Sequence, residues 1–153
     1  MALSLRIATL ADVPELMALE QQCFTSDRLS LRSFQWMISR AHGQLWVAER
    51  DGQLLGYALL LLRRGSALAR LYSIAITQAA RGCGLGVQLL THMEARAREQ
   101  GCAALRLEVR TDNPVALTLY ERNGYRRFAL TNDYYADHTA ALRLEKPLLR
   151  PPV

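Results

Sequence analysis

Two hydrophobic periods alternate along the chain, and together they predict a mixed α/β protein. Apolar runs and period-two alternation predict strands at residues 3–8, 45–50, 54–62, 68–76, 103–110, 125–131 and 139–146. Apolar residues spaced three and four positions apart predict helices at residues 12–23 and 30–39, from 85 to a stop at Gly101, and from 114 to a stop at Gly124. The run 54–62 is almost continuously apolar, which is typical of a strand buried on both faces.

Polar residues at the ends of these runs predict where several elements start. Asp12, with Glu15 three residues later, predicts a capping box at the first helix. Ser30 is predicted to cap the second helix. Asp51 and Gly52 form a dipeptide that is typical of a two-residue hairpin turn.

Composition indicates one small globular unit. The 153 residues are 50% hydrophobic and 22% charged, which is ordinary for a single domain spanning residues 1–153. The apolar run around residues 59–62 is far shorter than the roughly 20 residues of a membrane helix, and the N-terminus has no signal-peptide layout. We therefore expect a cytoplasmic protein with no membrane partner.

The cysteines and the charge exclude further classes of function. The three cysteines lack metal-ligand spacing, so we expect free thiols and no bound metal at Cys23, Cys83 and Cys102. Cys83 lies near a predicted helix start that favours a thiolate, but we interpret it first as a small residue that fits the loop. The net charge of +5 comes almost entirely from scattered arginines, which form no basic run, so we expect no nucleic-acid partner.

A glycine-rich loop joins the fourth predicted strand to the third predicted helix. Residues 71–86 read LYSIAITQAARGCGLG, with glycines at positions 82, 84 and 86. Glycines at a helix N-terminus let backbone N–H groups surround an anion, which indicates a diphosphate site. The spacing excludes a dinucleotide fingerprint, because its third glycine position is Val87, and it also excludes a triphosphate loop, which needs Gly-Lys-Ser/Thr.

The pattern Arg81-x-x-Gly84-x-Gly86 resembles the acetyl-CoA-binding motif of the GNAT family of N-acetyltransferases. A second segment, residues 105–124 (LRLEVRTDNPVALTLYERNG), resembles the next strand and helix of that family. Within the family the sequence is most similar to ribosomal-protein N-terminal alanine acetyltransferases, over about residues 71–135. The resemblance implies the GNAT fold: a mixed, mostly antiparallel seven-stranded sheet with splayed central strands and about four helices.

The resemblance also implies acetyl-CoA as acetyl donor, and it implies which residues contact it. Backbone groups of Ile74 and Ile76 would pair with the pantetheine arm, and the Ile76 N–H would face the oxyanion. Amides of residues 82–87 would hold the diphosphate. The implied contacts are Ile74, Ala75, Ile76, Arg81, Gly82, Cys83, Gly84, Leu85, Gly86, Val87 and Asn113.

Acetyl transfer to an amine needs a proton acceptor and a proton donor. Glu108 lies in an apolar strand and must face either solvent or a site, and Arg106 and Arg110 on the same strand face are able to pair with it. The resemblance implies that Glu108 is the general base. It also implies that Tyr120 is the general acid, and a core aromatic on an amphipathic helix is the alternative interpretation. Asn113 is predicted to cap this helix.

The resemblance implies that Tyr134 and Tyr135 contact a peptide acceptor, although both are equally ordinary loop aromatics. Residues 25–30 lack the proline and tryptophan common in these relatives, so Asp27, Arg28 and His138 suit either a different acceptor or a solvated loop. We expect direct attack by an acceptor amine in a ternary complex, with a protein or peptide N-terminus as acceptor. The alternatives are acetylation of lysine, a polyamine or another small amine, and a non-catalytic acyl-CoA-binding module.

Overall fold

The computed structural model describes residues 3–39 and 42–148. The strands of these residues form one seven-stranded sheet in the order β1-β2-β3-β4-β5-β7-β6. They are β1 Ser4–Ile7, β2 Gly43–Arg50, β3 Gln53–Leu62, β4 Leu68–Ile76, β5 Ala104–Arg110, β6 Arg126–Thr131 and β7 Ala141–Pro147. The α-helices are α1 Val13–Cys23, α2 Leu31–Ser39, α3 Leu85–Glu99 and α4 Pro114–Arg122. This order and the mixed sheet confirm the predicted fold class.

Helices cover the two faces of the sheet in pairs. The predicted apolar stripe of α3 packs with α4 on one face, and α1 and α2 pack on the other face against β2, β3 and β4. Alternate residues of β3 belong to the two cores: Ala58 and Leu60 face α3, whereas Tyr57 and Leu59 face α1 and α2. The prediction that this strand is buried on both faces is therefore confirmed.

The sheet opens between β4 and β5. These neighbours are parallel and pair only from Leu68 with Ala104 to Leu71 with Leu107. Beyond that point β4 stays paired with β3, and a register shift leaves Tyr72 as an extra residue between Leu71 and Ser73. Because a bulge bends its strand and increases its twist, β4 diverges from β5 here. The predicted splay of the central strands is confirmed.

The predicted capping box at the first helix is wrong. Asp12 has helical backbone angles and ends a 3₁₀ turn, Leu10–Asp12, whose N-cap is Thr9. Its carboxylate accepts two hydrogen bonds of 2.8 Å from the Arg6 guanidinium and one of 2.7 Å from the Thr9 amide. Glu15 contacts the Leu54 amide instead, at 3.4 Å. A bidentate arginine is a stronger partner than a lone amide, so it determines where Asp12 lies.

Other predicted ends are confirmed. The Ser30 hydroxyl accepts from the Ser33 amide at 3.0 Å, as an N-cap does. Asp51 and Gly52 both have positive φ, of 54° and 76°, and join β2 to β3 in a two-residue turn. Gly101, with φ 81°, follows the end of α3 in the left-handed conformation that terminates helices.

Candidate active site

The opening between β4 and β5 presents backbone groups of β4. The Thr77 amide donates to the Leu55 carbonyl at 2.8 Å, and in an antiparallel pair every second residue bonds to the same neighbour. Ala75 therefore bonds to β3, while the N–H and C=O groups of Ile74 and Ile76 point into the opening. This is the orientation that the predicted pairing with an extended ligand requires.

Two side chains reach the edge of the opening at Ile76. The Ile76 carbonyl accepts from Cys23 Sγ at 3.3 Å and from Arg81 Nε at 3.4 Å. Arg81 Nη2 also lies 3.7 Å from Cys23 Sγ. Arg81 thus lies at the opening, its contact with the donor stays a prediction, and the α1 thiol is an additional neighbour that sequence reasoning missed.

The glycine loop has the geometry of an anion cradle. Gly82 and Gly84 both have φ 81°, and a Cβ at either position would meet no atom within 4 Å, so backbone conformation is what requires glycine there. A Cβ on Gly86 would lie 3.3 Å from Ile76 Cδ1, so this glycine lets α3 approach β4 closely. The amides of Leu85 and Val87 in the first turn of α3 have no intrahelical acceptor and are available to an anion.

Two further loop residues have local bonds. The Cys83 thiol donates to the Ala80 carbonyl at 2.6 Å. The Asn113 side chain accepts from the Ala116 amide at 3.2 Å, which confirms it as the cap of α4. Its contact with the donor stays a prediction.

Glu108 lies at the opening on the α1/α2 face, and its side chain is only 10% exposed. Its carboxylate pairs with Arg70 of β4, with Nη2 2.7 Å from Oε1 and Nε 3.3 Å from Oε2. The alternative that Glu108 pairs with Arg106 or Arg110 is not what the structure shows. Arg106 instead pairs at 2.5 Å with Glu145, its neighbour across β5 and β7, and Arg110 pairs with two aspartates of the flanking loops.

Arg70 links Glu108 to the predicted acceptor-binding tyrosines. Its Nη2 also donates to the Tyr134 hydroxyl at 2.7 Å. The Tyr134 and Tyr135 rings meet edge to face with centroids 4.9 Å apart, and the Arg110 guanidinium lies 4.9 Å from the Tyr135 centroid. Burial, with the nearby Glu108 charge, raises the pKa of both phenols, so both are neutral at neutral pH.

Tyr120 lies on the other face of the sheet. Its ring is in the core with Leu107 and Val109, and it contacts Tyr125 edge to face at 5.8 Å. Because Glu108 alternates with Leu107 and Val109, the carboxylate and the phenol lie on opposite faces and can meet a common ligand only through the opening. Burial raises the pKa of Tyr120 to about 12. Among the described residues no group hydrogen-bonds its hydroxyl, which is not fully enclosed.

Two loops are joined above the Glu108 side of the opening. Asp27, in the α1–α2 loop, accepts from the Ala136 amide in the β6–β7 loop at 3.1 and 3.2 Å. Arg28 turns back instead, and donates to the Phe24 carbonyl at 2.6 Å. His138 contacts Asp133 within the β6–β7 loop. Neither the role of Asp27 nor that of Arg70 was predicted.

A buried carboxylate supports the α1–α2 loop from below. Glu20 is 1% exposed and accepts from the Leu29 amide at 2.7 Å and from the Tyr57 hydroxyl. The Tyr57 hydroxyl also lies 2.8 Å from Ser73 Oγ on β4. Burial raises the pKa of Glu20, with Tyr57 and the Leu29 amide acting in the opposite direction. This network fixes the loop relative to the opening.

None of the helices in the part of the chain that the structure describes has both the length and the apolar character of a membrane span. Across residues 3–39 and 42–148, no three histidine, cysteine or carboxylate side chains are grouped as metal ligands. All three cysteines are free thiols.

The glycine loop, the splayed strands and the helix that follows recur in known proteins. A model of the acetyltransferase (GNAT) family matches residues 13–125. The chain belongs to the GNAT family of acetyltransferases. The predicted resemblance is thus confirmed, as is the prediction of an N-acetyltransferase, and members of this family use acetyl-CoA.

Curated relatives agree with this assignment, and a solved structure agrees with the fold. The chain is 33% identical over 130 residues to an N-alpha-acetyltransferase RimI of Mycobacterium tuberculosis, covering 83% of this chain and 80% of that protein. It is 35% identical over 102 residues to an uncharacterized N-acetyltransferase of Methanocaldococcus jannaschii, covering 66% of this chain and only 64% of that protein. The crystal structure of the ribosomal-protein-S18-alanine N-acetyltransferase from Escherichia coli superposes with a TM-score of 0.87 at 23% identity, over 99% of this chain and 97% of that one.

Proposed function

We propose that this N-acetyltransferase transfers the acetyl group of acetyl-CoA to the α-amine at the N-terminus of a protein or peptide. One observation carries the proposal: the opening between β4 and β5 has the glycine loop at its edge, and Glu108, Arg70 and Tyr134 form one bonded cluster at its α1/α2 side. The similarity to an N-alpha-acetyltransferase supports the choice of acceptor.

The donor would be held by backbone rather than by charged side chains. The amides of residues 82–87 would bind its diphosphate, and the backbone groups of Ile74 and Ile76 that point into the opening would pair with its amide-containing arm. Such pairing would give these groups the strand partner that β5 does not supply at the splay. Acetyl-CoA supplies the thioester carbonyl as electrophile.

Glu108 would receive the amine proton through a water molecule. Arg70 engages both carboxylate oxygens, yet each oxygen keeps a further lone pair for a second donor. An α-amine with a pKa of about 8 is roughly one-tenth neutral at pH 7, whereas a lysine amine is neutral only at about one part in two thousand. A carboxylate acting through water therefore suits an N-terminus better than a lysine.

Tyr120 would supply the proton that the departing sulfur needs. Its buried phenol, with a pKa of about 12, holds that proton throughout the neutral range. As the amine nitrogen bonds to the carbonyl carbon and the carbon–sulfur bond breaks, the phenol proton passes to sulfur and solvent then restores it. The Ile76 N–H, which points into the opening, would stabilise the carbonyl oxygen as it becomes negative.

A matched acceptor panel tests the proposal. The protein and acetyl-CoA are incubated with free N-terminal peptides, with the same peptides N-blocked but carrying an internal lysine, and with spermidine. Thiol release gives rates, and fragment mass spectra locate the acetyl group. We expect acetylation at the α-amine, with a rate that rises through the pH range of that amine. Faster reaction with blocked lysine peptides or spermidine would refute the acceptor class. Binding of acetyl-CoA without thiol release in the presence of any of these acceptors would indicate a non-catalytic acyl-CoA-binding module.

A further inference from the structure

The α1/α2 face of the sheet extends beyond the two helices that pack on it. Among the described residues the helices pack on β2, β3 and β4, whereas β5, β7 and β6 continue the sheet with no helix packed on this face. Three arginines on these strands are half-buried or exposed, and they share this face with one carboxylate, Glu145. We call Arg106, Arg126, Phe128 and Arg143 the arginine face.

Phe128 forms the centre of this face. It is 42% exposed, and the guanidinium groups of Arg106 and Arg143 lie 4.7 and 5.1 Å from its ring centroid. Stacking on an aromatic ring holds an arginine head flat while leaving its N–H donors available. Phe128 lies two residues after Arg126 and so projects from the same side of β6, and the register shift between Arg127 and Ala129 falls at this residue.

Part of the charge on this face has no counter-ion among the residues that the structure describes. Arg106 is neutralised by Glu145, but among the described residues neither Arg126 nor Arg143 forms an ion pair with a carboxylate. Arg143 lies directly across from Glu108 in the β5–β7 register, yet Glu108 is already paired with Arg70. Positive charge that begins beside the proposed base therefore extends outward over two strands.

We propose that the arginine face binds acidic side chains located just after the N-terminus of the acceptor. The inference rests on the proposed function. Neighbouring strands are about 4.8 Å apart, so β6 lies roughly 10 Å from Glu108, a distance that about three extended residues span. With the α-amine at Glu108, carboxylates at acceptor positions two to four would reach Arg143 and Arg126. Charge complementarity of this kind raises association rate and selectivity.

Three peptides that differ only at positions two to four, carrying glutamate, glutamine or lysine, test the proposal. We expect kcat/KM to fall in that order, chiefly through KM, and the preference to weaken with added salt. Arg143→Gln and Arg126→Gln should each reduce the glutamate-over-glutamine preference about two- to fivefold, the scale of an exposed ion pair. Arg143→Glu should favour the lysine peptide.

Arg127→Gln is the matched control, because Arg127 lies on the same strand but faces α4, where it pairs with Glu121. It removes the same charge and should leave the preference unchanged. Equal kcat/KM for all three peptides, or an equal effect of Arg127→Gln, would overturn the inference while leaving the proposed function intact. Failure to acetylate even the glutamine peptide would overturn the proposed function itself. Competition by an RNA oligonucleotide but not by glutamate peptides would assign the face to another partner and would also overturn the inference.

Discussion

Replacing Tyr120 by phenylalanine should separate catalysis from folding. The substitution keeps the ring that packs with Leu107, Val109 and Tyr125, and it removes only a hydroxyl that no described residue hydrogen-bonds. Because no internal bond is lost, we expect the free energy of unfolding to change by less than about 0.5 kcal/mol. For a chain of this size that corresponds to a change in Tm of less than about 2 °C.

The effect on turnover should be far larger. A positioned proton donor accelerates its step about 10²–10⁴-fold, which corresponds to about 2.7–5.4 kcal/mol of activation free energy. Thiol release at saturating acetyl-CoA and with the best peptide acceptor measures this loss. A thermal-shift assay of acetyl-CoA binding serves as the control, since retained binding shows that the donor site is unchanged.

Tyr125→Phe is the control with the opposite expectation. The Tyr125 hydroxyl donates to Glu94 Oε2 at 2.8 Å, and Glu94 is 4% exposed, so removing the hydroxyl leaves a buried carboxylate with one partner fewer. That should destabilise the fold by about 1–3 kcal/mol and lower Tm by several degrees, with turnover per folded molecule retained. If Tyr120→Phe turns over at the parental rate, Tyr120 is a packing residue and the proposed acid is wrong.

Burial of Tyr120 also predicts the shape of the pH profile. Its pKa of about 12 lies above the usual phenol value, so the proton is lost only when the pH rises well beyond the assay range. The rate should rise through the α-amine range near pH 8 and show no decline due to Tyr120 below about pH 10. A decline below pH 10 that disappears in Tyr120→Phe would contradict this assignment.

Three further predictions concern the donor loop, the acceptor loops and the buried carboxylate. Gly84→Glu should abolish the rise in Tm caused by acetyl-CoA. Gly52→Glu should preserve that rise, because Gly52 is an equally open positive-φ position at a distant turn. An equal loss in both variants would refute the assignment of the glycine loop as the donor's anion site. Asp27→Ala removes the hydrogen bond to the Ala136 amide and should raise the acceptor KM several-fold while leaving the acetyl-CoA KM unchanged. A change only in the acetyl-CoA KM would contradict the role of these two loops in acceptor binding. Burial raises the pKa of Glu20, so the stability that this group contributes is present below its unfolded pKa and is lost as the pH rises through the folded value. Urea unfolding should therefore show that Glu20→Gln gains stability relative to the parent from pH 4 to pH 8. A difference in stability that stays constant over this pH range would refute this prediction.

Local signals in the sequence predicted the elements well. The caps at Ser30 and Asn113 and the stop at Gly101 depend on atoms within a few residues, so their patterns are visible in the chain. The predicted cap at Asp12 was wrong because the Arg6 guanidinium binds the Asp12 carboxylate. Arg6 is itself held by Glu49, which lies 43 residues away on another strand. A tertiary ion pair overrides a local capping preference.

The glycine loop was predicted from its own residues, because its glycines and their spacing are visible in the chain, and the splay was predicted from the resemblance. The bulge at Tyr72, which lets β4 leave β5, has no comparable signal in the sequence, since a bulge depends on how two strands pair.

Contacts between distant segments of the acceptor side could not be predicted. Arg70 meets Glu108 across 38 residues and Tyr134 across 64, and Asp27 reaches Ala136 across 109. None of these pairs has a characteristic spacing. They arise only once the parallel β4–β5 pair and the two loops are assembled.

A crystal structure with a conjugate that joins the CoA sulfur through an acetyl linker to a peptide N-terminus tests the central claim most directly. The account predicts the diphosphate on the amides of residues 82–87, the arm between β4 and β5 paired with Ile74 and Ile76, and the peptide leaving past Glu108 and Tyr134. A conjugate bound outside the opening, or a peptide leaving on the α3/α4 face, would contradict it.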